Sequence, residues 1–218
     1  MPRMFWGNGM EQQEQFNFSG LQLSAVKEMS NIGLGHAATA LSDMTGRSFN
    51  MSVPNIESVP VAQLSELMGG PESTALAVYM PFEGDVFGYI AFLFPWQSAA
   101  NLWEMLLGTA PDDPSLVGDM EASAMLEVGN IINSNFLNAI SDMTDLKMHA
   151  TPPAFAVEMT QAILSAIVSE AEEHDAVALA VETQIFDESS STSGYFLCIP
   201  STEGLQLMFS KLGISEAA

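Results

Sequence analysis

The chain repeats itself. Glu28, Asn31 and Pro54 recur as Glu127, Asn130 and Pro153, each 99 positions on, and in both halves the proline follows the asparagine by 23 residues. The flanks repeat at the same offset: Ala40-Leu41-Ser42-Asp43-Met44-Thr45 stands against Ala139-Ile140-Ser141-Asp142-Met143-Thr144. Self-similarity at a fixed offset marks a duplicated unit. A duplicated unit limits the fold strongly, because two copies of one element order have to pack as near-equivalent halves.

The element order reads the same way twice. Leu21–Met44 carries apolar residues at Leu23, Val26, Ile32, Leu34 and Leu41 with small residues between, the pattern of a helix packed closely on a neighbour, and Gly46 is placed to stop it. Phe49–Val53 alternates as a strand does and Pro54 ends it. A short helix over Val61–Met68, strands over Thr74–Met80 and Val86–Phe94 joined at Glu83-Gly84-Asp85, and a helix over Gln97–Leu107 complete the first unit. In the second unit the sequence predicts helix Met120–Met143, strand Lys147–Thr151, helix Val157–Val168, strands Val177–Phe186 and Tyr195–Ile199 around a Ser-rich tip, and a last helix over Gly204–Leu212. Ala75-Leu76-Ala77-Val78 reappears as Ala178-Leu179-Ala180-Val181. Hairpin strands among helices predict an α/β fold of the α+β kind, with pseudo-twofold symmetry and a largely antiparallel sheet continuous at the junction of the halves. Residues 1–20, rich in Gly, Gln and Asn, read as a flexible leader; residues 21–218 read as one domain of two repeats, 21–109 and 118–218.

Composition narrows the partners. Five Lys and Arg against 27 Asp and Glu give a net charge of −22, which repels nucleic acid and anionic lipid. Cys198 is the only cysteine, so no internal disulfide can form and a reducing, cytoplasmic setting is expected. No apolar run is long enough to span a membrane, and the N-terminus lacks the basic and apolar regions of a secretory signal.

Glu28 and Asn31, like Glu127 and Asn130, are three residues apart, so on a helix each pair shares a face. One such pair is ordinarily a solvated helix surface. Duplication weighs against that reading, because Gly33-Leu34-Gly35-His36-Ala37-Ala38 has diverged from Ile132-Asn133-Ser134-Asn135-Phe136-Leu137 while the pairs persisted. Asn is neither acid nor base near neutral pH, but its amide can orient a water for in-line attack. Glu can pair with a partner's Lys or Arg. The two fit a protein that completes another molecule's active site. The remaining motifs are weaker. His36, His149 and His174 have no metal-ligand spacing, and no metal site is expected. Nucleophile-elbow and phosphate-loop signatures are missing. Gly33 and Gly35 suit close helix packing, the fifteen methionines suit core filling or an adaptable groove, and Asp43 and Asp142 suit a helix-end cap or a shared structural turn.

Glu28-Met29-Ser30-Asn31-Ile32-Gly33-Leu34-Gly35-His36-Ala37-Ala38-Thr39-Ala40-Leu41 resembles the first active-site helix of the CheC family, and Glu127-Val128-Gly129-Asn130-Ile131-Ile132 with the Pro-Pro beyond it resembles the second. With the related CheX and FliY proteins, this family dephosphorylates the chemotaxis response regulator CheY. The resemblance runs from about Leu21 to the C-terminus. It implies two long active-site helices against a continuous sheet, Asn31 and Asn130 entering the regulator's phosphorylation pocket, and Glu28 and Glu127 engaging the regulator's lysine. Pro54 and Pro153 would be structural members of the motif. The protein would need no cofactor of its own, Mg²⁺ being supplied by the regulator. Two motifs fit CheC better than CheX. FliY-like proteins carry a further C-terminal switch domain, for which this chain is expected to leave no room. The deamidase CheD would dock near residues 157–168; whether it does stays open, as does the alternative of a non-catalytic adaptor.

Overall fold

The computed structural model describes residues 18–60, 63–171 and 177–214. Helix α1 (Gly20–Thr45) begins where the Ser19 hydroxyl accepts from the Gln22 amide while the Gln22 side chain accepts from the Ser19 amide, a reciprocal capping box. Ser19 and Gly20 therefore belong to the helix start, not to the expected leader, and the Phe18 ring packs against Phe209 at 5.6 Å; residues 1–17 lie outside the described residues. Strands β1 (Asn50–Ser52) and β2 (Ile56–Pro60), the short helix α2 (Leu64–Leu67), strands β3 (Thr74–Gly84) and β4 (Gly88–Pro95) and helix α3 (Trp96–Leu107) follow. After a 3-10 turn at Pro114–Leu116 the series repeats: α4 (Asp119–Thr144), β5 (Met148–Ala150), β6 (Ala154–Met159), α5 (Thr160–Ala171), β7 (Val177–Phe186), β8 (Ser191–Pro200) and α6 (Thr202–Lys211).

The eight strands form one antiparallel sheet in the order β1-β7-β8-β4-β3-β5, with β2 also on β7 and β6 also on β3. The halves join at β4 and β8, where Phe92 faces Phe196 and Ala91 faces Leu197. They also interlock. The short strands β1 and β2 of the first half pair with β7 of the second, and β5 and β6 of the second pair with β3 of the first. Each long helix is thus tied through its following strands to the other half's hairpin.

Both faces of the sheet are covered, and side-chain size separates them. Along β3, Leu76, Val78, Met80 and Phe82 enter a core shared with α1, α3, α4 and α6, while Ala75 and Ala77 face a smaller core beneath α2 and α5. Phe196 and Cys198 of β8 join the first core, and Leu197 and Ile199 the second. Burial on both sides makes these strands read as nearly continuous apolar runs instead of a polar–apolar alternation. Burial of Cys198 pushes its thiol up to about 12, which leaves it an inert core residue.

Two expectations shift. Strands β2 and β6 have no clear sequence signal, and β6 takes Val157–Met159 from the helix expected to begin at Val157; α5 starts at Thr160. Pairing with β3 decides this, Val157 opposite Leu76 and Phe155 opposite Val78, a partner remote in sequence.

Candidate functional site

Helices α1 and α4 lie against each other, and glycine sets how closely. A Cβ at Gly33 would stand 2.8 Å from the Cα of Phe136, so at this crossing only glycine lets the α4 backbone in. Gly129 plays the same part toward the sheet, where a Cβ would stand 2.5 Å from Val78. Gly35 does not share that role. It is exposed and nothing lies within 4 Å of where its Cβ would be, so close packing explains Gly33 and not Gly35.

With the inner faces fixed by these contacts, the polar pairs point outward. Val26, Met29, Gly33, Leu34, Ala37 and Leu41 are buried, and Glu28 and Asn31 are exposed. On α4, Met125, Val128, Ile132 and Phe136 are buried, Glu127 is exposed and Asn130 is half-buried. Among the described residues no hydrogen bond or ion pair within the chain engages the side chains of Glu28, Asn31 or Glu127. Four hydrogen-bonding groups are thus held on rigid helices with their capacity for a partner largely unused. Asn130 is the partial exception, since the Ser134 hydroxyl donates to its Oδ1 at 3.4 Å. The position equivalent to Ser134 is Gly35, so Asn31 lacks that contact.

One turn before each glutamate stands a serine, Ser24 and Ser123, both exposed and again 99 positions apart. The offset that picks out the Glu/Asn pairs in the sequence picks out these serines as well. Pro54 closes β1 and leads into β2, and Pro153 stands in the same place between β5 and β6. Asp43 and Asp142 are exposed in the last turns, and among the described residues neither is the residue that caps its helix. The first helix is stopped by Gly46 in the left-handed conformation, and its end is tied down by Ser42, whose hydroxyl accepts from the Phe49 amide at 2.9 Å. At the equivalent end of α4 the left-handed residue is Asp145, with φ 56°. His36 is exposed on α1; His149 lies 3.9 Å from Glu83, both exposed; His174 lies outside the described residues. No group of three or more His, Cys, Asp or Glu among the described residues is gathered closely enough to hold a metal. No helix among them is long and apolar enough to cross a membrane. A shallow depression between Gln184 and Ser191 contains none of the motif residues.

Two long helices thus each present a Glu-x-x-Asn pair from one face of a shared sheet. The CheC-like family model matches residues 21–58 and 120–157, one segment in each half. In sequence the chain is 28% identical over 205 residues to the CheY-P phosphatase CheC of Bacillus subtilis (strain 168), an alignment covering 91% of this chain and 98% of that protein. In fold it matches FliY of Thermotoga maritima at a TM-score of 0.72, with 14% identity over 91% of this chain and 99% of that one. The FliM middle domain of H. pylori matches at 0.64, with 13% identity over 89% and 99%. At such identities the likeness to FliY and FliM is one of fold.

Proposed function

We propose that this protein is a CheY-P phosphatase, hydrolysing the aspartyl phosphate of a CheY-like chemotaxis response regulator. The observation that carries this reading is the Glu/Asn pair held at the same helix position in both halves, exposed and unpartnered on α1 and, on α4, engaged only by the Ser134 hydroxyl at a half-buried Asn130, taken with the name of the Bacillus relative. The reaction has little covalent work for the phosphatase. Water attacks phosphorus in line, the bond from phosphorus to the aspartate oxygen breaks, the carboxylate leaves with the electron pair, and the water's proton passes to solvent or phosphate. What the protein adds is position. The amide of Asn31 or Asn130 holds the attacking water, and Glu28 or Glu127 pairs with a lysine beside the phosphoryl group. The divalent metal belongs to the regulator.

A rigid helix suits this task, because the amide has to reach into a pocket on another protein without losing its orientation. The test is phosphate release from phosphorylated regulator and Mg²⁺. Wild type should accelerate release, Asn31→Ala and Asn130→Ala should each retain part of the acceleration, and the double variant should fall to the regulator's own rate. If wild type leaves that rate unchanged while still binding the regulator, the protein is an adaptor. A folded single variant without any acceleration would reduce the two sites to one.

A further inference from the structure

Leu21 and Met120 are large apolar side chains left in solvent, 63% and 58% exposed. They are repeat equivalents, 99 positions apart, and each is the second residue of its long helix. Exposed apolar residues are common singly; one retained at equivalent positions of both halves is not. Met44 shows the contrast, being 47% exposed while its counterpart Met143 is half-buried. Neither Leu21 nor Met120 serves the helix start. The first cap is made by Ser19 and Gln22, and at the second the Gly118 amide donates to Glu121.

Their placement follows from helix geometry. At about 100° per residue, a residue seven positions on is rotated by only about 20°, and one ten positions on by about 80°. Leu21, Ser24, Glu28 and Asn31 therefore form one stripe on α1, and Met120, Ser123, Glu127 and Asn130 form the same stripe on α4. Along each stripe the apolar residue stands about 15 Å before the asparagine, at about 1.5 Å per residue.

We infer that Leu21 and Met120 are the apolar anchors by which each long helix docks its protein partner beside the Glu/Asn pair. This rests on the partner being the response regulator of the proposed function. The charge balance supports the need for such anchors: with a net charge of −22 the protein has little long-range attraction for the anionic phosphoryl group the regulator carries, so short-range apolar burial has to supply adhesion. The complementary surface is an apolar patch about 15 Å from the regulator's phosphorylated aspartate, judged from the helix rise.

The test isolates one site at a time. In an Asn130→Ala background, Leu21→Ser should raise KM for phosphorylated regulator about ten-fold with kcat within about two-fold, that ten-fold being ~1.4 kcal/mol. Met120→Ser in an Asn31→Ala background should do the same. Tm should not move, and Leu207→Ser on α6, also at an exposed apolar position, should leave KM unchanged. Titration against regulator carrying beryllofluoride gives Kd independently of turnover. An unchanged Kd and KM would overturn the anchors while leaving the phosphatase intact. A fall in Tm would also overturn them, since the residue would then pack within the chain. Binding that weakens with Leu21→Ser and Met120→Ser, without any phosphate release from wild type, would sustain the anchors and remove the phosphatase.

Discussion

Gly33 on α1 and Phe136 on α4 meet backbone to backbone, with room for no side chain on the glycine. Two residues on, Gly35 faces open space. Alanine is the better helix former by about 0.5–1 kcal/mol, so the two glycines should respond oppositely. Gly35→Ala should stabilise the protein by about that amount. Gly33→Ala should destabilise it by about 1–3 kcal/mol, because the Cβ forces α1 away from α4 in a packed core. Thermal or urea unfolding of the two variants checks both signs.

Asn133 and Leu34 occupy equivalent positions, and both are buried. Neither amide atom of Asn133 finds a hydrogen-bond partner among the described protein atoms. Truncating Leu34 to alanine should cost about 2–5 kcal/mol. Truncating Asn133 also removes buried polar atoms whose desolvation costs about 1–3 kcal/mol, which offsets the lost packing. Asn133→Ala should therefore fall within about 1 kcal/mol of wild type. A loss as large as that of Leu34→Ala, in the same unfolding experiment, would show that the amide is satisfied after all.

Asp187 ties the β7–β8 turn to the rest of the sheet. Its carboxylate accepts from the Ser189 backbone amide and hydroxyl, and from Ser190, and these bonds hold its pKa down to about 2. Arg47 lies 2.7 Å away and also donates to the Met105 carbonyl, so the turn, the end of α1 and α3 are joined. A carboxyl with a lowered folded pKa contributes stability above its unfolded pKa of about 3.9 and loses it as pH falls toward about 2. Asp187→Asn should accordingly lower Tm near neutral pH, and the gap to wild type should narrow between about pH 4 and 2. A constant gap across that range would mean that the carboxylate's charge is not what the turn uses.

Glu28 and Glu127 can pair with a cation before any bond is broken, whereas the water held by Asn31 or Asn130 counts only in the transition state. Glu28→Ala combined with Glu127→Ala should therefore act mainly on KM for phosphorylated regulator, and the asparagine variants mainly on kcat. Steady-state phosphate release separates the two. Equal loss of kcat with KM unchanged in the glutamate variant would exchange the roles.

Much of this protein was legible in the sequence. Glu28 with Asn31, and Glu127 with Asn130, could each be placed on one face of a helix because an offset of three needs only the local geometry of a helix. Gly46 marked a helix end for the same reason, and the structure finds it in the left-handed conformation that glycine favours. The repeat itself foretold the antiparallel sheet continuous through β4 and β8. Other features depend on partners far away in the chain. Strand β6 exists because β3 accepts it, so Val157 was indistinguishable from the start of the helix behind it. Gly33 and Gly35 are the same residue two places apart, and only the position of Phe136 makes one indispensable to packing and leaves the other free. Local propensity and periodicity are written into the order of residues. Which faces touch is decided by the joint packing of elements about a hundred residues apart, and the exchange of short strands between the halves belongs to that packing alone.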